Sequence, residues 1–130
     1  MWLAPAGPAG TLPAMSLGVS AVVVDCHDPE RVGRFWSAAL SRPLERGEDG
    51  VWWWLGLDQG SPGILFLQNP DAKVVKNRLH LDLRPDDQRR EVARLIALGA
   101  REKDIGQGEV SWVVMADPED NEFCVLQPES

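Results

Sequence analysis

Residues 18–40 read GVSAVVVDCHDPERVGRFWSAAL, and this stretch combines a strand pattern with the start and the apolar face of a helix. Residues 18–25 are rich in β-branched side chains, which favours a β-strand. Asp28 followed by Pro29 is typical of an N-cap and a first helical residue. The apolar residues that follow recur at helical spacing and predict one buried face, formed by Val32, Phe35, Trp36, Ala39 and Leu40.

Three short strands are predicted after this helix, and the same order of elements then occurs a second time. In the first copy the strands cover residues 44–46, 51–57 and 64–68. In the second copy a strand over residues 78–83 precedes a helix that starts near Asp86 and Asp87 and ends at Gly99. The apolar stripe of this helix consists of Val92, Leu95 and Ile96. The remaining strands are predicted over residues 101–105, 110–116 and 122–126.

A shift of 59 residues aligns the two copies and places Asp28 on Asp87 and Trp53 on Trp112. Each element then falls on an element of the same type, which indicates two βαβββ modules. Two copies are too few for a solenoid, so we expect the modules to share one core. The predicted fold is α+β, with modules of about 17–70 and 77–127 forming a curved mixed sheet around a cleft in a single domain, 16–130.

Residues 1–15 differ from the rest because they are rich in Pro, Gly and Ala and include no charged side chain. A signal peptide requires a basic segment and a continuous apolar segment, and the prolines interrupt any such run. We therefore expect a disordered N-terminal extension. Whether Met1 or Met15 is the natural start is left open.

The composition is that of a soluble globular protein and excludes several functions. The 130 residues have a formal net charge of −7 at pH 7, and the basic residues are scattered, so no nucleic-acid partner is expected. No apolar run approaches the roughly 20 residues that span a bilayer, so no membrane association is expected. Cys26 and Cys124 are too few for a disulfide framework, which predicts reduced thiols and a cytoplasmic location.

Three segments resemble a known family. They are Asp28-Pro29-Glu30 followed by Phe35-Trp36, the run NRLHLDL at residues 77–83, and the run DPEDNEFCVL at residues 117–126. Together with the repeat, they resemble the vicinal-oxygen-chelate superfamily, and within it the glyoxalase-like branch common in actinobacteria. The superfamily includes glyoxalase I, extradiol dioxygenases, fosfomycin-resistance enzymes and bleomycin-resistance proteins, so the resemblance implies a fold but not one reaction. Because such relatives often pair, it also implies a homodimer.

The resemblance further implies where a metal would bind. The family places its ligands on the first and fourth strands of each module, and in this sequence those positions fall on Ala21, Leu65, His80 and Cys124. Two of these side chains are hydrocarbon, whereas a catalytic metal site needs about three protein ligands. The resemblance therefore implies a degenerate site, and we expect no metal cofactor.

The strand predicted over residues 78–83 contains the main candidates for chemistry. Alternation places Arg78, His80 and Asp82 on one face. The opposite face, expected to pack under the second helix, consists of Leu79, Leu81 and Leu83. The polar face predicts a site for an anionic or carbonyl-bearing ligand, with His80 as candidate catalytic base, although a structural histidine is an equal alternative. Asp82 either orients the imidazole or pairs with Arg78 or Arg84.

Aromatic and thiol side chains extend this candidate ligand-binding surface. Trp52 and Trp54 share one face of a predicted strand, and Trp53 lies on the other. We expect Trp53 in the core and the other two on a ligand-binding wall, unless all three belong to the core or to a dimer interface. Gln68 is a candidate ligand contact at a strand end. Cys124 is either a small buried residue or a reactive thiol on the ligand side.

Two classes of function are compatible with these residues. The first is a binding protein that sequesters an aromatic or cationic small molecule, because an aromatic cleft without a full ligand set is predicted on an acidic protein. The second is a lyase, isomerase or related enzyme that uses His80 as a general base or as part of a metal site. A metal with three protein ligands would favour the enzyme, and a dry aromatic groove would favour the binding protein.

Overall fold

The computed structural model of the chain describes residues 17–129, and the chain divides into two compact units between Pro70 and Asp71. Each unit has the element order βαβββ and its own four-stranded mixed sheet. The predicted α+β class with two βαβββ modules is thereby confirmed. The extension predicted over residues 1–15 lies outside the described residues.

The first unit contains one helix and four strands. They are β1 (Ala21–Cys26), α1 (Pro29–Leu40), β2 (Leu44–Arg46), β3 (Trp52–Leu55) and β4 (Gly63–Gln68), with a short 3-10 turn at Glu48–Gly50. The sheet order is β1-β4-β3-β2, in which β1 is parallel to β4 and the other pairs are antiparallel. β1 and β2 are therefore the edge strands, and β4 and β3 are the central strands.

Helix α1 begins where the sequence predicts it. The Asp28 side chain accepts a hydrogen bond from the Arg31 amide over 3.1 Å, and Pro29 follows as the first helical residue. The helix ends at Ser41, which lies in the left-handed region at φ 55°. Its buried face packs on β3 and β4 and includes Val32, Phe35, Trp36 and Ala39. Leu40, also predicted for this face, is only half-buried.

The second unit repeats the first with shorter strands. Its elements are β5 (Asp82–Leu83), α2 (Gln88–Leu98), β6 (Arg101–Glu102), β7 (Val113–Ala116) and β8 (Glu122–Val125). The sheet order is β5-β8-β7-β6, with β5 parallel to β8. Helix α2 again begins at an aspartate, because the Asp87 side chain accepts from the Arg90 amide over 3.1 Å. It ends at Gly99, whose φ of 121° is readily adopted only by glycine.

The prediction of a strand over residues 78–83 is wrong for most of its length. Only Asp82–Leu83 pairs with β8, and residues 78 and 79 lie in a bend. His80 therefore precedes the strand instead of lying in its middle. Leu79 is 87% exposed instead of packing under α2, whereas the next two leucines along the chain are half-buried as alternation requires.

Hydrogen bonds at the start of β8 explain the shortened strand. The Asn77 amide donates to a carboxylate oxygen of Glu122 over 2.8 Å, and the Asn77 side chain donates to that of Asn121 over 3.3 Å. These bonds fix Asn77 against side chains of Glu122, the first residue of β8, and of Asn121 just before it, rather than against the β8 backbone. The chain must then bend before it joins the ladder, where the Cys124 amide donates to the Leu81 carbonyl over 2.9 Å.

The second unit also buries less of its helix than the repeat predicts. In α2 only Leu95 is buried, while Val92 is half-buried and Ile96 is 46% exposed. Trp112 precedes β7 and is 41% exposed, although the repeat aligns it with the buried Trp53. The core of this unit is instead formed by the strands, with Val114, Met115, Phe123 and Val125 almost fully buried. No helix within residues 17–129 is long and apolar enough to cross a membrane.

Candidate functional site

Three polar side chains form a cluster at the start of β5. His80 Nε2 lies 3.2 Å from Asp82 Oδ1, and Asp82 lies opposite Cys124 in the parallel register of β5 and β8. One donor atom from each of the three residues lies within 4.8 Å of the other two. The fold of the second unit thus brings together His80 and Cys124, both candidates from the sequence, and places Asp82 in contact with each.

The residues of this cluster differ in exposure and in protonation. The side chains of His80 and Asp82 are 39% and 51% exposed, whereas Cys124 is buried. Burial raises the pKa of the Cys124 thiol, and the hydrogen-bonded Asp82 carboxylate raises it further, partly opposed by Lys76. The thiol is therefore protonated at neutral pH and is a poor nucleophile. This environment favours Cys124 as a small buried residue over Cys124 as a reactive thiol.

Asp82 pairs with His80 rather than with an arginine. Arg84 instead donates to the Gln127 carbonyl over 2.5 Å. Arg78 is exposed in the bend, and no ion pair joins it to an acidic side chain in the described part of the chain. The contact between carboxylate and imidazole therefore favours the interpretation in which Asp82 orients His80.

In the first unit, the three tryptophans of β3 alternate as predicted. Trp53 is only 7% exposed and faces α1, where the Arg34 guanidinium lies 5.8 Å from the centre of its ring. Trp52 and Trp54 are half-buried on the opposite face of the sheet. The structure thus places Trp53 in the core and leaves Trp52 and Trp54 partly exposed.

Glycines allow these two indoles to lie close against the backbone. A Cβ atom built on Gly63 would overlap the ring of Trp54, and one built on Gly47 would overlap the ring of Trp52. Trp54 is paired with Leu65 of β4, and Leu65 is fully buried. Trp52 and Trp54 therefore lie over small or apolar neighbours. We refer to the surface formed by these two indoles as the tryptophan face.

Two carboxylates share the tryptophan face. Glu45 lies directly opposite Trp54 in the pairing of β2 with β3. Asp25 lies in the same row as Trp52, because Leu67 of β4 pairs with both. Both acidic residues are exposed, and neither forms an ion pair within residues 17–129. Directly paired residues have Cβ atoms about 5 Å apart, so the Glu45 carboxylate can reach the edge of the Trp54 indole.

Gln68, the remaining candidate from the sequence, lies away from these indoles. Leu67 rather than Gln68 is paired with Trp52, so strand alternation directs Gln68 to the other face of the sheet. There it is exposed and lines a shallow pocket of about 430 Å³ with His27, Asn69 and Pro70. The structure therefore does not bring Gln68 together with the tryptophan face.

A buried carboxylate that the sequence did not single out lies two residues before Cys124. The Glu122 side chain is 2% exposed and accepts hydrogen bonds from Lys73 and Lys103, each over 2.6 Å, in addition to the Asn77 amide. Burial alone would raise the pKa of Glu122, but these hydrogen bonds outweigh it and lower the pKa to about 2. Residues two apart on a strand lie on the same face, so Glu122 shares a face with Cys124. Strand alternation in the sequence could therefore have identified Glu122 as a candidate residue.

Asp120 extends this network toward the surface. Its carboxylate accepts from Lys103 over 2.9 Å and also pairs with Arg101. The hydrogen bond to Glu122, together with Asp120, raises the pKa of Lys103 against the effect of burial. The network keeps the segment from Lys73 to Asn77 attached to β8, and this segment leads directly into the bend before His80.

These two βαβββ units, each with a mixed sheet and a single helix, define a protein of the glyoxalase-like fold class. A family model described as "Glyoxalase-like domain" matches residues 21–126. The chain belongs to this family. No functionally curated protein shows significant similarity to it.

Several solved structures share this fold and match nearly the whole described chain. A protein of Agrobacterium tumefaciens solved by NMR matches with a TM-score of 0.67 and 14% identity, covering 88% of this chain and 100% of that one. A glyoxalase/bleomycin resistance protein/dioxygenase family enzyme of Burkholderia phytofirmans matches with a TM-score of 0.62 and 19% identity, covering 85% and 98%. The fosfomycin resistance protein FosX of Mesorhizobium loti matches with a TM-score of 0.59 and 16% identity, covering 88% and 92%. At these identities the likeness extends to the fold alone.

The residues present do not fit the four-ligand metal site that the resemblance implies. Ala21 on β1 and the fully buried Leu65 on β4 are hydrocarbon side chains, so the first unit supplies no ligand at these positions. His80 and Cys124 offer one donor each. Asp82 adds a carboxylate from outside the four positions, so the second unit by itself offers three donors.

Proposed function

We propose that this protein is a glyoxalase-like small-molecule binder and that the tryptophan face binds an aromatic, positively charged compound. The observation that carries the proposal is the pairing of Trp54 with Glu45, which sets an exposed carboxylate beside a half-exposed indole. Asp25 adds a second carboxylate in the row of Trp52, two strand spacings away across Leu67, which is about 10 Å. A flat cation would stack on the indoles while its charge lies near the carboxylates.

The energetics of such a face favour a cation over a neutral ring. A cation placed over a tryptophan gains about 0.5–2 kcal/mol beyond the burial of apolar area. Neither Glu45 nor Asp25 has an ion-pair partner among the described residues, so both remain available to a ligand. The net charge of −7 further concentrates cations near the protein.

A second candidate function is an enzyme of the same superfamily that uses His80 as a general base. The observation in its favour is the 3.2 Å contact between Asp82 and His80, because a carboxylate so placed orients an imidazole for proton transfer. In this reading Arg78, which is exposed and without an ion pair in the described chain, would bind an anionic or carbonyl oxygen of the substrate. The role of Gln68 as a ligand contact stays a prediction in either case. The cytoplasmic location and the homodimer stay predictions as well.

The binding proposal is tested with a matched pair of probes, N-methylquinolinium and quinoline, which differ in charge at neutral pH but hardly in shape. We expect the cation to quench tryptophan fluorescence and to bind at least about tenfold more tightly, which corresponds to about 1.4 kcal/mol. Trp54→Ala and Glu45→Gln should each weaken binding of the cation. Equal affinity for the two probes, or affinity that neither substitution changes, would contradict the proposal.

The enzyme candidate predicts a different pattern. Proton exchange at carbon acids next to a carbonyl group, followed by NMR in deuterated buffer, should then depend on His80 and fall with His80→Ala. His27→Ala is the matched control, because His27 is the other histidine of the chain and is also exposed. Exchange that survives His80→Ala would exclude His80 as the base.

A further inference from the structure

Three chemically different donor atoms converge at the start of β5 in the second unit. We infer that His80 Nε2, a carboxylate oxygen of Asp82 and Cys124 Sγ together form a site for a single zinc ion. This site would lie entirely within the second unit and is independent of the tryptophan face. The sequence alone predicts no metal cofactor, because only two of the expected positions, His80 and Cys124, have donor atoms. The inferred site departs from that prediction.

The separation of the donor atoms suits one small ion. Ligands bound to zinc at about 2.0–2.3 Å in tetrahedral geometry lie about 3.5 Å from one another. The His80 and Asp82 atoms are already 3.2 Å apart, and no pair within the cluster exceeds 4.8 Å. To reach this spacing, the two most distant donor atoms must approach each other by about 1 Å. His80 can supply this movement because it lies outside the strand and its side chain is 39% exposed.

The chemistry of the donor set favours zinc over harder cations. Thiolate and imidazole ligands select zinc-like ions, whereas magnesium and calcium prefer sites made of oxygen alone. When zinc binds, the Cys124 thiol loses its proton to solvent, and a zinc–sulfur bond replaces the hydrogen bond to Asp82. One thiolate and one carboxylate then balance the two positive charges of the ion, so that a partly buried site remains neutral.

The site differs from the one that the family resemblance implies. That set shares His80 and Cys124 with the site inferred here, but its other two positions are Ala21 and Leu65 of the first unit, which have no donor atom, and it does not include Asp82. Here Asp82 is the central member, because it contacts His80 on one side and Cys124 on the other. The backbone fixes the last pair, since Asp82 and Cys124 are direct partners in the β5–β8 ladder.

The test uses the full-length protein, stripped of metal with a chelator, and titrates it with cobalt(II) and then with zinc(II). Cobalt bound by a thiolate produces a charge-transfer absorption band in the near ultraviolet. We expect one equivalent of cobalt to bind with this band, and one equivalent of zinc to displace it. His80→Ala and Asp82→Ala should each weaken cobalt affinity by at least about tenfold, the lower limit for disturbing even an indirect partner of a metal. Cys124→Ser should abolish the band.

Each of these variants has a matched control elsewhere in the chain. His27→Ala, Asp86→Ala and Cys26→Ser remove the same side-chain types from positions outside the cluster, and all three should keep both the band and the affinity. His80 is half-exposed, so His80→Ala tests the site even if Cys124→Ser fails to fold, and circular dichroism identifies any variant that has unfolded.

Three results would overturn the inference. They are the absence of saturable zinc or cobalt binding, binding that the His80 and Asp82 variants leave unchanged, and a band that Cys26→Ser abolishes while Cys124→Ser does not. None of these results depends on the tryptophan face. Binding of N-methylquinolinium can therefore fail without affecting the zinc site, and the reverse also applies.

Discussion

The Glu122 carboxylate accepts a hydrogen bond from the Asn77 amide over 2.8 Å, which connects a buried charge on β8 to the chain just before His80. Two lysines neutralise this charge, Lys73 from the same preceding segment and Lys103 from beyond α2. A surface ion pair contributes little to stability, but this carboxylate is 2% exposed, and its partners are largely shielded as well. Glu122 is therefore both a stabilising residue and a constraint on the path of the chain into the candidate site.

Replacing Glu122 by alanine should strongly destabilise the second unit. The substitution leaves two partly buried lysines without their shared carboxylate, and breaking a buried pair in this way costs about 3–5 kcal/mol. Urea unfolding measures the loss. Glu109→Ala is the matched control, because Glu109 is exposed, and its removal should change the free energy of unfolding by no more than about 0.5 kcal/mol. Similar values for the two variants would mean that the network does not stabilise the fold.

The same residue should make stability depend on acid pH. The pKa of Glu122 is about 2 in the folded protein and near 4.5 when unperturbed. Because the folded pKa is lowered, the stabilisation is complete above about pH 4.5 and is lost as the pH falls toward 2. The shift corresponds to about 3 kcal/mol. Thermal melts of wild type and Glu122→Gln across this range should converge at low pH, and parallel curves would contradict the assignment.

The three tryptophans of β3 should respond differently to truncation. Trp53→Ala removes a core side chain between the sheet and α1 and should lower the free energy of unfolding by about 3–5 kcal/mol. Trp52→Ala and Trp54→Ala remove half-exposed rings and should cost clearly less, while reducing the affinity for N-methylquinolinium. Paired melting curves and titrations separate the two effects. Equal losses of stability for the three variants would mean that all three tryptophans are core residues. The tryptophan face would then not be a binding surface.

A single methyl group should disturb the tryptophan face without touching a tryptophan. In Gly63→Ala the new Cβ would overlap the Trp54 ring and approach the Leu55 carbonyl oxygen to 3.0 Å, so the indole must move. We expect a shift in tryptophan emission, weaker binding of the cationic probe and a loss of about 1–3 kcal/mol. Gly56→Ala is the control, because its Cβ would lie 3.6 Å from the Trp54 Nε1 atom, an ordinary contact. Unchanged emission in Gly63→Ala would exclude this packing.

The reactivity of Cys124 should depend on Asp82. Burial and the neighbouring carboxylate both raise the pKa of the thiol, so alkylation by iodoacetamide should be slow at neutral pH and accelerate as the pH rises. Asp82→Asn removes the negative charge and should speed alkylation severalfold. The comparison is made in a Cys26→Ser background with chelator present, so that Cys124 is the reacting thiol and no metal protects it. A slower reaction in Asp82→Asn would contradict this electrostatic role.

Much of the fold is readable from local sequence because its signals are local. Asp28 and Asp87 both cap helices, since each needs only a side-chain oxygen and the amide three residues later. The alternation of Trp52, Trp53 and Trp54 likewise follows from strand geometry alone, and the structure confirms it. These features depend on neighbours within one turn or one strand, which the sequence displays directly.

What the sequence did not predict depends on contacts between distant residues. Lys73 and Glu122 are 49 positions apart, and no local pattern indicates that they pair. The same contact region shortens the strand predicted over residues 78–83, because Asn77 is attached to side chains at the start of β8 and just before it. The grouping of His80 and Asp82 with Cys124 required the parallel register of β5 and β8, which periodicity cannot supply. The candidate site is thus largely a product of tertiary pairing.

The short ladder of β5 gives the two halves of the repeat different mechanical roles. β1 pairs with β4 along the whole of Ala21–Cys26, whereas β5 joins β8 only through Asp82–Leu83. Local opening of an edge strand requires less free energy when fewer ladder bonds must break. Opening of β5 beyond the point where Asn77 is attached to Glu122 therefore requires less free energy than opening of β1. The two halves of the repeat thus hold equivalent backbone positions with different firmness: the first copy in a six-residue ladder, and the second, which contains His80, in a two-residue one.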